Sequence, residues 1–196
     1  MNNIKLLVFS VFMLTFMSCQ DEYIPKPIGN FRIDIPEYSY VPFHHPNIPY
    51  SFDVADYVIV KRQMHKDSNW VNIEYSPYKA TLFITYHDMD TTLASYIEDC
   101  HDLAYKHTPK ATNIIPEPIV RSENKVYGLM YFIEGNEAAS PLNFYLTDSV
   151  NYFLRGALYF NTEPRNDSLQ PVIKAIEKDV IQLVNTFKYK NLTPLK

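Results

Sequence analysis

A chain of 196 residues is one domain with tails, and a 46% apolar share gives it a sizeable core without disulfide staples. Its net charge of −4 lacks the basic excess that a nucleic-acid partner requires, which excludes that class. Sixteen tyrosines and twelve phenylalanines against four glycines favour strands with amphipathic aromatic faces.

The amino-terminal segment is read first. Lys5 and the amino terminus form a small basic region, and Leu6 to Met17 is almost purely apolar. That run is too short to span a bilayer comfortably and suits the apolar core of a signal peptide. Phe16-Met17-Ser18-Cys19 then resembles a lipobox, with Phe16 where leucine is usual. The chemistry follows from the thiol: Cys19 takes a diacylglyceryl group, cleavage falls before it, and the new amine is open to acylation. Several acyl chains hold a soluble domain firmly on a membrane. An ordinary signal peptide with an incidental cysteine is the alternative. The expected division is 1–18 lipoprotein signal peptide, 19–30 lipidated terminus and tether, 31–190 a single domain, and 191–196 a tail. Loss of the first eighteen residues removes only Lys5 and leaves 17 basic against 22 acidic side chains, a net −5. Only one other cysteine exists, so with Cys19 lipidated Cys100 has no partner in the chain and is expected to be buried and inert.

Gln20 to Asn30 is polar, with Pro25 and Pro27, and reads as the tether. Phe31 to Ile35 alternates as a first edge strand stopped by Pro36. Pro42, Pro46 and Pro49 predict an extended, irregular Val41–Pro49. Tyr50 to Arg62 begins the ordered sheet, and Met64 to Asn69 is a polar turn. Trp70 to Tyr75 and Ala80 to His87 alternate as strands. Leu93, Tyr96, Ile97, Cys100, Leu103, Ala104 and His107 fall at helical spacing, with caps at Asp90 to Thr92 and Pro109 at the end. Thr112 to Arg121 carries Pro116 and Pro118 and is an edge strand. Lys125 to Glu134 is a strand.

Ala138 to Asn161 organises the rest as a β-hairpin around Thr147-Asp148-Ser149. Its second strand is apolar on both faces except for Arg155. It is therefore expected at the centre of a sheet covered on one side by a helix. Gly156 leaves a gap for a large ring or another backbone. A final helix follows, with a capping box from Asp167 to Gln170 and Pro171 in its first turn. Its apolar stripe runs through Leu169, Val172, Ile173, Ile176, Val180, Leu183, Val184 and Phe187. Ile176 and Val180 are expected to sit against Gly156. The fold class is α+β, an antiparallel β-sheet with two packed α-helices, and the element order is similar to the Mog1/PsbP-like fold.

Chemical motifs are sparse. Glu98 and His101, with Asp102 and His107 near, are spaced as an ExxH pair, but the second pair that a helical metal site needs is missing, so a solvated polar face explains them. His44-His45 sits in the proline-rich loop without an accompanying acid or cysteine. Ser140, Ser149 and Ser168 stand outside any nucleophile motif, and turn or cap roles account for the last two. No catalytic residue, metal ligand or cofactor is assigned. Arg155 is different, because a charge in an apolar strand is either paired or exposed at a groove. Asp148, Glu163 and Asp179 are the candidate partners for pairing.

The chain resembles the gliding-motility lipoprotein family GldD of Bacteroidota along nearly its whole length. The likeness rests on Pro49-Tyr50-Ser51-Phe52, Tyr96-Ile97-Glu98-Asp99, Phe144 to Ser149, Phe153 to Asn161, Asp167-Ser168-Leu169 and Pro171-Val172-Ile173 in that order. It implies a non-enzymatic lipoprotein of the cell envelope, anchored at the outer membrane on its periplasmic or surface face. It also implies protein partners in the gliding machinery and the associated type IX secretion system, and no catalytic residues. The other reading is an exported ligand-binding or hydrolytic module with a groove near Arg155.

Overall fold

The computed structural model describes residues 35, 37–63 and 69–190. The signal segment, Cys19, the tether, Phe31 to Asp34, Met64 to Ser68 and the 191–196 tail lie outside the described residues. In chain order the elements are β1 (Tyr40–His44), β2 (Tyr50–Ala55), β3 (Ile59–Arg62), β4 (Val71–Tyr75) and β5 (Ala80–Asp88). Helix α1 (Leu93–Tyr105) follows, then β6 (Asn113–Arg121), β7 (Val126–Glu134), β8 (Leu142–Thr147) and β9 (Tyr152–Phe160). Helix α2 (Asn166–Thr186) and β10 (Lys188–Tyr189) end the domain. Seven strands form one antiparallel sheet in the order β3-β4-β5-β9-β8-β7-β6, and three form a second in the order β1-β2-β10. The class is α+β.

Two segments depart from expectation. Val41–Pro49 is not irregular throughout: β1 pairs with β2 through Val41↔Val54 and Phe43↔Phe52. Pro42 is tolerated because β1 is an edge strand, where a missing N–H interrupts no inner ladder. Tyr50–Arg62 does not enter one sheet. A turn closed by Val58 N–H donating to the Ala55 carbonyl (3.2 Å) sends β2 and β3 to different sheets. Strand β2 alternates from Tyr50 to Val54, and Tyr50, Phe52 and Val54 are buried in the same core as α2.

Strand β9 is central, between β5 and β8. Both of its faces are covered, not one. Tyr152, Leu154 and Leu158 join the core with Val172, Ile176 and Val180 of α2, whereas Phe153 joins Cys100 and Ala104 of α1. Period-two alternation assigns the two sets to opposite faces, which is why the strand reads apolar throughout. The gap over Gly156 is filled by its cross-strand neighbour Phe144, whose ring an added Cβ would overlap. Phe144 is itself buried, so the ring has little room to yield. Gly156→Ala is expected to cost about 1–3 kcal/mol by overpacking, measured as a shift in urea midpoint. A loss below about 0.5 kcal/mol would mean that Phe144 swings clear.

The helix ends also differ. Helix α2 starts at Asn166, and no side chain at Arg165 caps it. Instead Asn166 Nδ2 donates to the carbonyls of Gly135 (2.8 Å) and Ala138 (2.9 Å), and Asn136 Oδ1 accepts from Asp167 N–H (3.3 Å). The β7–β8 loop therefore replaces the expected capping box, and the earlier start places Pro171 in the second turn. Helix α1 ends at Tyr105, two residues short of His107, and Thr92 at its start makes no side-chain cap bond. Among the described residues, no helix is long and apolar enough to cross a membrane.

Candidate functional site: a cationic aromatic cleft under the first helix

The parity of β9 puts Phe153 and Arg155 on the α1 side of the sheet. Register then brings Thr85 and Tyr145 opposite Arg155 on the two flanking strands, and His87 opposite Phe153. Helix α1 overhangs them with Tyr96, Asp99, Cys100 and Leu103, and Trp70 enters from the start of β4. All of these except Tyr145 line a cleft of about 340 Å³. Its wall is a chain of rings, Trp70–His87 at 6.0 Å, His87–Tyr96 at 5.9 Å and Tyr96–Phe153 stacked at 5.0 Å, and Tyr145 stacks on Phe153 at 5.2 Å. The polar tips of two rings are already committed. Trp70 Nε1 donates to the Tyr86 carbonyl (3.1 Å), and the Tyr96 hydroxyl donates to Asp90 Oδ1 (2.6 Å).

Arg155 is not committed. Among the described residues it forms no ion pair and no hydrogen bond. The three carboxylates named as its partners are occupied or distant. Asp148 accepts from the amides of Val150 (3.1 Å) and Asn151 (2.7 Å) in the hairpin turn. Glu163 is exposed beyond the end of β9. Asp179 lies on α2, across the sheet. Half-buried beside α1, the Arg155 charge is felt by its neighbours. Burial, and then Arg155, lowers the pKa of His107. Burial pushes the Cys100 thiol up to about 11 against the pull of Arg155, which disfavours the thiolate.

The other candidates are dispersed. His44 is exposed, and His45 Nδ1 accepts from Asn47 N–H (3.2 Å) within its own loop. Glu98 and Asp102 are exposed, and His101 stacks on Tyr105 at 4.2 Å. Among the described residues, no three His, Cys, Asp or Glu side chains converge to hold a metal. Ser140 is buried and donates to the Leu142 carbonyl (3.3 Å). Ser149 adopts a left-handed turn conformation with φ 71°. Ser168 lies in the first turn of α2.

Sequence reasoning missed the most polar buried feature. Asp179, 3% exposed, accepts the hydroxyls of Tyr38 (2.7 Å) and Tyr40 (2.9 Å) on Oδ1 and of Tyr57 (2.9 Å) on Oδ2. The signal was there. Asp179 stands three residues after Ile176 and four before Leu183, inside the apolar stripe of α2.

Sheet, helices and cleft define an antiparallel α+β domain in which Arg155 opens onto a cleft with aromatic walls. The family described as gliding motility lipoprotein GldD matches residues 20–189, and the chain belongs to that family. No curated protein matches the chain. Among solved structures it is similar to the solution structure of cyanobacterial PsbP (CyanoP) from Synechocystis sp. PCC 6803. That likeness is at 13% identity, covers 84% of this chain and 99% of that one, and has a TM-score of 0.46.

Proposed function

We propose that this chain is a non-enzymatic lipoprotein, held on the membrane by acyl groups on Cys19, that supports assembly or stability of the gliding-motility machinery and its associated type IX secretion system. Membership of the gliding-motility lipoprotein family over 20–189 carries the reading. On this view residues 1–18 are the signal peptide, 19–30 the lipidated tether, 31–190 the working domain and 191–196 a tail. The anchor lies in the outer membrane, on either face. Arg155 and its ringed cleft are the contact point for an envelope partner. The chemistry of the cleft favours holding over reacting: burial keeps the Cys100 thiol protonated, and the tips of Trp70 and Tyr96 already have partners. The ligand-binding alternative would use the same cleft.

Anchoring tests the first step. Cys19→Ala removes the only thiol at the cleavage boundary, so metabolic labelling with a fatty-acid analogue is expected to lose its signal entirely. Undiminished label on the variant would refute lipidation at Cys19. In a deletion strain, the same variant is expected to restore gliding and secretion poorly at wild-type abundance.

A further inference from the structure

An uncommitted guanidinium against apolar walls calls for a particular occupant. A guanidinium is a permanent cation in proteins, so burial is not relieved by losing the charge. Anything that covers the cleft strips water from that charge and must supply an anion in return. A carboxylate matches the planar fork of the guanidinium with two parallel hydrogen bonds. The rings ask for an apolar body on the same molecule. The size of the cleft narrows the choice further. Its volume of about 340 Å³ is room for one large amino-acid residue. A long acyl chain would overrun it, and an aspartate or glutamate side chain would leave the rings bare.

We propose that the cleft under α1 receives the C-terminal residue of a partner protein, an aromatic or leucine side chain on the ring wall with its free carboxylate on Arg155. Such a residue carries both required groups one carbon apart. Asp99 on the rim does not forbid it. That carboxylate is exposed and screened by water, whereas Arg155 is half-buried, where an ion pair is stronger. Trp70, His87, Tyr96 and Phe153 set the preference for an apolar side chain, and Arg155 sets the requirement for a free acid. The proposal rests on the preceding section only in taking the cleft as the contact point.

The chain supplies its own reporter, because Trp70 on the cleft wall is its only tryptophan. The lipidated mature protein in lipid nanodiscs is titrated with N-acetyl-L-phenylalanine, with the corresponding amide, and with decanoate. Expected is a saturable change in Trp70 fluorescence with the acid and at least roughly tenfold weaker binding of the amide, since the charge-assisted pair is lost. Arg155→Met is expected to abolish the difference between acid and amide, and Arg155→Lys, with charge but no fork, to retain part of it. Equal binding of acid and amide, or no saturable response to either, would overturn the proposal even if Arg155→Met failed to fold. Saturable binding of decanoate without N-acetyl-L-phenylalanine would replace the peptide terminus with a lipid and overturn it too. Failure here leaves the anchoring and assembly reading standing, because that reading is tested by acyl labelling and complementation. Loss of those with acid preference intact would do the reverse.

Discussion

Asp179→Ala is expected to lower the unfolding free energy by about 2–4 kcal/mol, because each hydroxyl left without its acceptor costs about 1–3 kcal/mol and the more exposed ones regain water. The side chain is buried, and among the described residues no cation pairs with it. Three tyrosine hydroxyls donate to it. These bonds span 122 to 141 residues of sequence and tie Tyr38, Tyr40 and Tyr57 to α2. Removing the acceptor unties these three tyrosines from α2, while Tyr50, Phe52 and Val54 stay packed in the core they share with it. Asp179→Asn keeps the shape but not the charge, and is expected to lose about half as much. Urea denaturation with an unchanged m-value checks both. A loss under about 1 kcal/mol for the alanine variant would mean that water replaces the carboxylate freely. The network also predicts a pH effect. Burial and then the Asp179 bond raise the pKa of Tyr38, and burial and then the Asp179 charge raise that of Tyr57, so both remain donors when folded. Unfolded tyrosine ionises near 10. The stability contributed by the raised values is therefore complete below about pH 10 and is lost as pH climbs above it.

Ile176→Ala is expected to cost about 2–5 kcal/mol. Ile176 is 0% exposed and shares the main core with Val172, Val180, Leu183, Leu154 and Phe144. The spread reflects how far those neighbours collapse into the space left behind. Ile181, 41% exposed on the same helix, is the internal control, and Ile181→Ala is expected to stay within about 0.5 kcal/mol. A similarly small change at Ile176 would show that the stripe does not face the sheet. Ile176 and Asp179 are three residues apart on one helix, so the double variant is not expected to be additive.

Much of this architecture was legible along the chain. Strands β4 to β9 and the body of α2 follow from period-two and period-3.6 apolar spacing, because side chains that must share a buried face impose their period on the sequence. Pro116 and Pro118 marked β6 as an edge for an equally local reason, the missing N–H donor. Cys100 was read as buried, and it is. Arg155 was singled out by the one interruption in an apolar strand.

Everything that depends on which elements meet needed the fold. The partner of Arg155 was sought at Asp179, but alternation puts Arg155 on the α1 side and Asp179 on the α2 side, with the sheet between them. The ring wall joins Trp70, His87, Tyr96 and Phe153 from four separate elements, and only strand register and the path of α1 bring them together. The cap of α2 comes from the loop at Asn136, not from the helix's own Asp167, and β2 leaves the main sheet to join β1 and β10. By itself the sequence determined periodicity, burial and the places where a charge or a glycine breaks a pattern, because these are local demands on each residue. The tertiary structure decided which broken patterns face one another, because a contact over a hundred residues away leaves no period in the chain.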